Sequence, residues 1–135
     1  MEMIDKSMQA LATSLNFRQM RQELINSNIA NADTPGYKAK RLDFEEALST
    51  ALNNDGSGSM DVNDPKHFNV GNGGFANVQP EIYEDSNGVV SEDGNTVDRD
   101  AEMAAMAENK IMHDAAIEVL SKKISLMKYA INSER

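Results

Sequence analysis

The chain has 135 residues, a formal net charge of −9 and no cysteine. Fourteen acidic and only two basic residues lie within residues 43–102, which predicts a solvated acidic surface with no basic stripe for nucleic-acid phosphates. The lack of cysteine excludes disulfides, zinc–thiolate sites and thiol nucleophiles. No apolar run reaches the roughly 18 residues of a membrane-spanning helix. The first residues lack the basic and apolar blocks of a secretory signal, so any export is expected to use another route.

The first predicted element is a long helix within an N-terminal segment, residues 1–33. Its seam residues follow one another at alternating steps of four and three, which is typical of a coiled-coil face. They are Ile4, Met8, Leu11, Leu15, Arg18, Gln22, Ile25, Ile29 and Ala32.

A turn is predicted directly after this helix, at Thr34-Pro35-Gly36-Tyr37. Proline presets its own φ and disfavours helix at Thr34, and Gly36 can supply the positive φ of a type II turn. Asn28 and Asn31 lie three residues apart near the helix end. Their amides could bond to open local carbonyls or to another chain, and the sequence leaves both readings open.

The middle of the chain is predicted to be irregular. Residues 34–52 hold the turn and a short helical segment, with one or two turns expected over 42–48. Residues 53–97 form an acidic, Gly/Asn-rich segment, read as a loop over 53–81 and a small β-ribbon over 82–97. The ribbon is centred on Asn87-Gly88, a strong hairpin-turn signal.

The second long helix is predicted within residues 98–135. Asp98 is a candidate cap, and Asp100 and Glu102 place negative charge near the helix start. The seam repeats the steps of three and four through Met103, Met106, Lys110, His113, Ile117, Leu120, Ile124, Met127 and Ile131. The predicted fold class is therefore mainly α, with paired, coiled-coil-like terminal helices and an irregular middle that contains a short β-ribbon.

Both helices also carry apolar residues outside the predicted seams. A two-helix hairpin buries one stripe, so a second stripe indicates either a wide core-facing surface or contact with another subunit. The residues concerned are Phe17, Met20 and Leu24 in the first helix and Ile111, Val119 and Leu126 in the second.

No residue pattern in the sequence indicates catalytic or metal-binding chemistry. His67 and His113 have no partner ligand at a convincing spacing, and the acidic loops do not match the calcium-loop pattern. The glycines at 71, 73 and 74 lack the lysine and following helix of a phosphate-binding loop. The sequence predicts no enzyme, no cofactor and no metal.

Two stretches carry a family resemblance. SNIANADTPGYKAK, preceded by Arg18 and Arg21, resembles the N-terminal signature of bacterial flagellar rod, hook and junction proteins. DGNTVDRDAEMAAMAENKI, residues 93–111, is similar to the C-terminal signature of proximal rod proteins of the FlgB type. The chain thus resembles the flagellar basal-body rod family, and most closely its proximal type.

The resemblance implies a structural subunit at the proximal end of the rod, part of a hollow drive shaft and export channel built by self- and hetero-assembly of terminal helices. Implied partners are other rod subunits, further copies of the chain, the adaptor to the membrane ring and the export gate. The implied location is the periplasmic rod, reached by flagellar type III export without a cleaved signal. The alternatives are another rod subunit or a free-standing helical-hairpin adaptor.

Two sets of residues are expected to mediate contacts between subunits. The corner set is Asn28, Asn31, Thr34, Pro35, Gly36 and Tyr37. The seam set is Leu11, Leu15, Ile25, Ile29, Ile117, Leu120, Ile124 and Met127.

Overall fold

A computed structural model describes residues 2–53, 75 and 78–134, with side chains from residue 6 onward. The elements in chain order are α1 (Glu2–Ala30), β1 (Lys40–Asp43), α2 (Glu45–Asn53), β2 (Glu81–Glu84) and α3 (Arg99–Ser133). This confirms a mainly helical fold with long terminal helices and a small sheet between them. Most of the loop predicted over 53–81, including His67, lies outside the described residues. Within the described residues, none of the helices has the length and apolar character needed to cross a bilayer.

Helices α1 and α3 pair as an antiparallel hairpin. The Asn28 amide contacts Glu102 at one end, at 3.2 Å, and Lys123 Nζ donates to Ser7 Oγ at the other, at 2.6 Å. Because the partner in α3 rises in number as the residue in α1 falls, the helices run in opposite directions. The corner after α1 and the start of α3 lie together at one end of the hairpin.

The buried face of α3 is rotated relative to the predicted seam. At three points along the helix, the buried residue is the one that precedes a predicted seam residue. Glu102, Asn109 and Ala116 are buried, whereas the apolar residues that follow the first and third of them, Met103 and Ile117, are exposed. Glu102 and Asn109 hydrogen-bond to α1, so polar contacts decide the rotation of the helix about its axis. Of the remaining predicted positions, Met106, His113, Leu120 and Met127 are half-buried, whereas Lys110, Ile124 and Ile131 are exposed.

Strand β2 pairs with a strand that the sequence did not predict. It lies antiparallel to β1, with Lys40 opposite Glu84 and Asp43 opposite Glu81. The prediction of a ribbon within 82–97 is therefore wrong about the second strand, because the residues after Asn87-Gly88 do not form one. They bond instead to the corner after α1, as described below.

The short helix α2 also begins later than predicted. Leu42 and Asp43 belong to β1, and the helix runs from Glu45 to Asn53. Its first turn carries Glu45 and Glu46, which favour a helix N-terminus because of the positive end of the helix dipole. The boundary predicted from the sequence therefore missed the strand that precedes this helix.

A small aromatic cluster holds β1 and α2 against α1. Phe17, Leu42 and Phe44 are buried together, and the rings of Phe17 and Phe44 lie 5.4 Å apart. Arg21 lies over the Phe44 ring at 4.7 Å and donates to the Leu42 carbonyl from Nε and Nη2, at 3.1 and 2.7 Å. It also forms an ion pair with Glu45 at 2.6 Å, so one side chain joins all three elements.

This ion pair makes the stability of the fold depend on pH. Burial alone would raise the pKa of the Glu45 carboxyl, but hydrogen bonds from Arg21 and from the Phe44 and Glu45 backbone N–H groups lower it from 4.5 to about 2. A lowered pKa stabilises the fold above the unfolded value, and this contribution disappears as the pH falls from about 4.5 towards 2.

We therefore expect the stability advantage of the wild type over Glu45→Gln to shrink between about pH 5 and about pH 2.5. Urea unfolding followed by circular dichroism at both pH values measures it. An advantage that stays constant across this range would contradict the role of the Arg21–Glu45 pair.

Candidate assembly site at the helix corner

Helix α1 ends on its own asparagine. Asn31 Nδ2 donates to the Ser27 carbonyl at 2.8 Å, which satisfies an open acceptor of the last helical turn. Its Oδ1 accepts from Thr34 Oγ1 at 3.1 Å, and its carbonyl accepts from the Thr34 N–H at 3.0 Å. The described bonds of the Asn31 side chain are local ones, as in the first of the two readings open from the sequence.

The turn after α1 favours glycine because of its backbone angle. The Tyr37 N–H donates to the Thr34 carbonyl at 3.3 Å, which closes the four-residue turn, and Gly36 has a φ of +74°. A Cβ added at Gly36 would meet no atom within 4 Å. The predicted positive φ is confirmed, and it is the conformation, not the available space, that favours glycine.

The side chain of Asn28 is fully buried and uses all of its hydrogen-bonding capacity inside the chain. Its Nδ2 donates to the Lys40 carbonyl at 2.9 Å and to Glu102 Oε2 at 3.2 Å. Its Oδ1 accepts from the Lys40 N–H at 3.0 Å and from the Tyr37 hydroxyl at 3.2 Å. An amide offers two donors and two acceptors, so these four bonds occupy all of them. The contact between subunits expected for Asn28 stays a prediction.

Glu102 extends this network to the sheet. It is fully buried and forms an ion pair with Arg41, which also pairs with Asp85 at 3.3 Å. Burial lowers the pKa of Arg41, but its contacts with Glu102 and Asp85 outweigh that effect and raise it. From the sequence, Glu102 was predicted only as a charge near the helix start, because nothing in its spacing shows that it lies under a strand.

A second buried asparagine, Asn95, joins the segment before α3 to the end of α1. Its Nδ2 donates to the Asn31 carbonyl at 2.9 Å and to the Thr34 carbonyl at 2.8 Å. Its Oδ1 accepts from the Val97 N–H at 2.7 Å, which shapes the backbone just before α3. The N-cap of α3 is Asp98, as the sequence predicted.

Backbone hydrogen bonds complete the attachment. The Gly36 N–H donates to the Asp93 carbonyl at 2.9 Å, and the Thr96 N–H donates to the Tyr37 carbonyl at 3.0 Å. The Ala39 N–H donates to Thr96 Oγ1 at 2.8 Å. We call this set of contacts, between residues 28–40 on one side and residues 93–97 with Glu102 on the other, the interlock. It brings together the two sequence stretches that carry the family resemblance.

The predicted contact residues fall into three environments. Thr34, Pro35 and Gly36 are exposed at the corner, and Asn31 and Tyr37 are half-buried. In the seam set, Ile25 is buried, Leu11, Leu15, Ile29, Leu120 and Met127 are half-buried, and Ile117 and Ile124 are exposed. Their role in contacts between subunits stays a prediction. Among the described residues, no three potential ligand side chains come together in a way that could hold a metal ion.

Because the Asn28 side chain uses all of its donors and acceptors, we expect even an isosteric substitution to destabilise the fold. Asn28→Asp keeps the acceptors, loses both donors and sets a second carboxylate against Glu102, so we expect a loss of about 2–4 kcal/mol in the free energy of unfolding. Asn26→Asp is the matched control, since Asn26 is exposed and accepts from Gln22 Nε2, a bond that a carboxylate keeps. Urea unfolding of both variants measures the difference, and equal losses would contradict the role of Asn28.

Comparison with known proteins agrees with this geometry. The family described as flagella basal body rod protein matches residues 8–38, which contain most of α1 and the corner. The flagellar basal body rod protein FlgB of Cereibacter sphaeroides (strain ATCC 17023) is 37% identical over 123 residues, covering 91% of each chain. FlgB of Aeromonas hydrophila is 32% identical over 97% of this chain and 96% of the relative. FlgB of Escherichia coli K12 is 29% identical over 98% of both. The chain therefore belongs to the flagellar basal body rod proteins of the FlgB type.

Proposed function

We propose that this chain is a structural subunit of the proximal flagellar rod and that the interlock makes it a building block of fixed shape. The observation that carries the proposal is the mutual bonding of residues 28–40 with residues 93–97 and Glu102. These contacts hold the two chain ends as one hairpin and set the direction in which the acidic middle leaves it. A rod needs this property, because every subunit must present the same surfaces to its neighbours.

The division between polar and apolar contacts supports assembly through the helices. Polar bonds hold the hairpin together at the corner and along the seam, and large apolar side chains on α3 stay exposed. Exposed apolar surface of this extent is typical of protein contacts that are completed in an assembly. In this proposal, the exposed seam residues Ile117 and Ile124 contact neighbouring subunits directly.

The proposal extends to the partners and the location. The partners are further copies of the chain, other rod subunits, the adaptor to the membrane ring and the flagellar export gate. The subunit occupies the periplasmic rod after type III export without a cleaved signal. The family membership and the names of the relatives support assembly into the rod. The adaptor to the membrane ring and the export gate are proposed as partners because of the resemblance at residues 27–40 and 93–111. The role is structural and involves no catalysis.

The corner turn gives a direct genetic test. Gly36→Val places a β-branched residue at a φ of +74°, which costs on the order of 1–3 kcal/mol of backbone strain, and we expect it to abolish swimming in cells whose only copy carries it. Gly36→Asn fills the same open space with a residue that tolerates positive φ, so we expect it to keep most motility.

Soft-agar swimming, with immunoblots of the subunit in purified basal bodies, distinguishes the two variants. Full motility of the valine variant would contradict the requirement for this turn. Equal failure of both variants would show that the size of the side chain matters and not the backbone angle.

A further inference from the structure

The two-stranded sheet has one edge that is closed and one that is open. Helix α1 closes the outer edge of β1, because Asn28 bonds to both backbone groups of Lys40 and Arg21 donates to the Leu42 carbonyl. A third strand therefore cannot pair with β1. Strand β2 forms the other edge of the sheet, and all four of its residues are exposed. We call the side of β2 that faces away from β1 the open edge.

Two residues of β2 direct their backbone groups to the open edge. In an antiparallel pair, residues that bond to the opposite strand alternate with residues that do not. The Asp85 N–H donates to the Ala39 carbonyl at 2.9 Å, so the register makes Tyr83 the next residue that bonds to β1. Ile82 and Glu84 therefore point their N–H and C=O groups outward. None of the described residues bonds to these four groups, which is the arrangement that allows a partner to add a strand.

The charges at the open edge disfavour the same strand of a second copy. The register that pairs the outward groups of both copies twice places Ile82 opposite Glu84. It also sets Glu81 of each copy opposite Asp85 of the other, and like charges directly opposite each other are destabilising. The nearby cation, Arg41, already pairs with a buried carboxylate as well as with Asp85. A second copy is therefore a poor occupant of this edge.

The open edge lacks a cation and an apolar neighbour. Asp43 lies directly opposite Glu81, and the Tyr83 hydroxyl donates to Asp43 Oδ2 at 2.9 Å. In the part of the chain that the structure describes, no lysine or arginine forms an ion pair with either carboxylate. Ile82 is 51% exposed, although it lies opposite the buried Leu42. A strand that brings a cation and an apolar side chain matches both features.

We propose that the open edge of β2 is a docking site for an extended, basic segment of another protein, which adds a third strand antiparallel to β2. The segment places a lysine or arginine beside Glu81, an apolar residue beside Ile82 and a second cation beside Glu84. Strand β1 offers the same chemistry from the other side, with Lys40 opposite Glu84. This contact lies outside the terminal helices, so it goes beyond the proposed function and does not depend on it.

A short peptide of the sequence TKTVKT, acetylated and amidated at its ends, is the probe. In the antiparallel register its lysines lie beside Glu84 and Glu81, and its valine lies beside Ile82. Two control peptides carry one N-methyl group each. On the valine, the methyl group removes an N–H that faces β2, whereas on the preceding threonine it removes an N–H that faces solvent. Titration of the isotopically labelled full chain, followed by the NMR signals of its backbone amides, measures the affinity of each peptide.

We expect the amide signals of Ile82 and Glu84 to shift as the unmodified peptide is added. The N-methyl-valine peptide should bind about tenfold more weakly, and the N-methyl-threonine peptide should bind within about twofold of the unmodified one. A peptide with glutamate in place of both lysines should not bind. Glu81→Gln should weaken binding of the lysine peptide about threefold. Glu134→Gln makes the same change in charge at the exposed far end of α3 and should leave binding unchanged.

Several results would overturn the proposal. Equal affinity of the two N-methylated peptides would show that the backbone of the open edge does not bind them. Equal affinity of the glutamate peptide would show that charge does not select the partner. If the signals of Ile82 and Glu84 shift with the concentration of the chain alone, the occupant is a second copy. If they do not shift at millimolar peptide concentrations, the edge accepts no strand. The assignment to the rod is tested separately, by the motility of the Gly36 variants.

Discussion

The buried amide of Asn28 is the contact on which the rest of the structure depends. It bonds to both backbone groups of Lys40, to the Tyr37 hydroxyl and to Glu102, so it joins α1, the corner, β1 and α3 at one point. Because a buried polar group without partners is costly, each of these segments is held in the one position that satisfies it. Asn95 repeats the arrangement from the side of α3 and fixes the carbonyls that end α1.

Polar contacts also explain why so much apolar surface remains exposed. The contacts that set the position of α3 along α1 involve Glu102, Asn109 and Lys123. Polar seam residues fix the register of paired helices at some expense of stability. Their position turns Met103, Ile117 and Ile124 away from α1. The polar contacts that fix the register of the hairpin thus leave apolar side chains of α3 exposed.

The sequence predicted what depends on local chemistry and missed what depends on distant partners. The helical periods, the cap at Asp98 and the positive φ at Gly36 follow from short stretches, and the structure confirms them. The rotation of α3 and the pairing of β1 with β2 do not, because both depend on residues at least 38 positions apart. Apolar spacing in α3 predicted its period correctly, but the buried polar residues Glu102 and Asn109 turn half of the predicted face towards solvent.

The central claim is that the interlock closes within one chain in the assembled rod. Asp33 and Arg99 are exposed across it, with Arg99 Nη2 2.6 Å from Asp33 Oδ2, and the natural chain has no cysteine that could interfere. The most direct measurement is therefore to treat basal bodies that carry Asp33→Cys and Arg99→Cys with a short bis-maleimide. The account predicts that peptides from the two positions become joined while the protein keeps the mass of a single subunit. Cross-linked dimers and longer ladders, with no joined peptides at subunit mass, would contradict it.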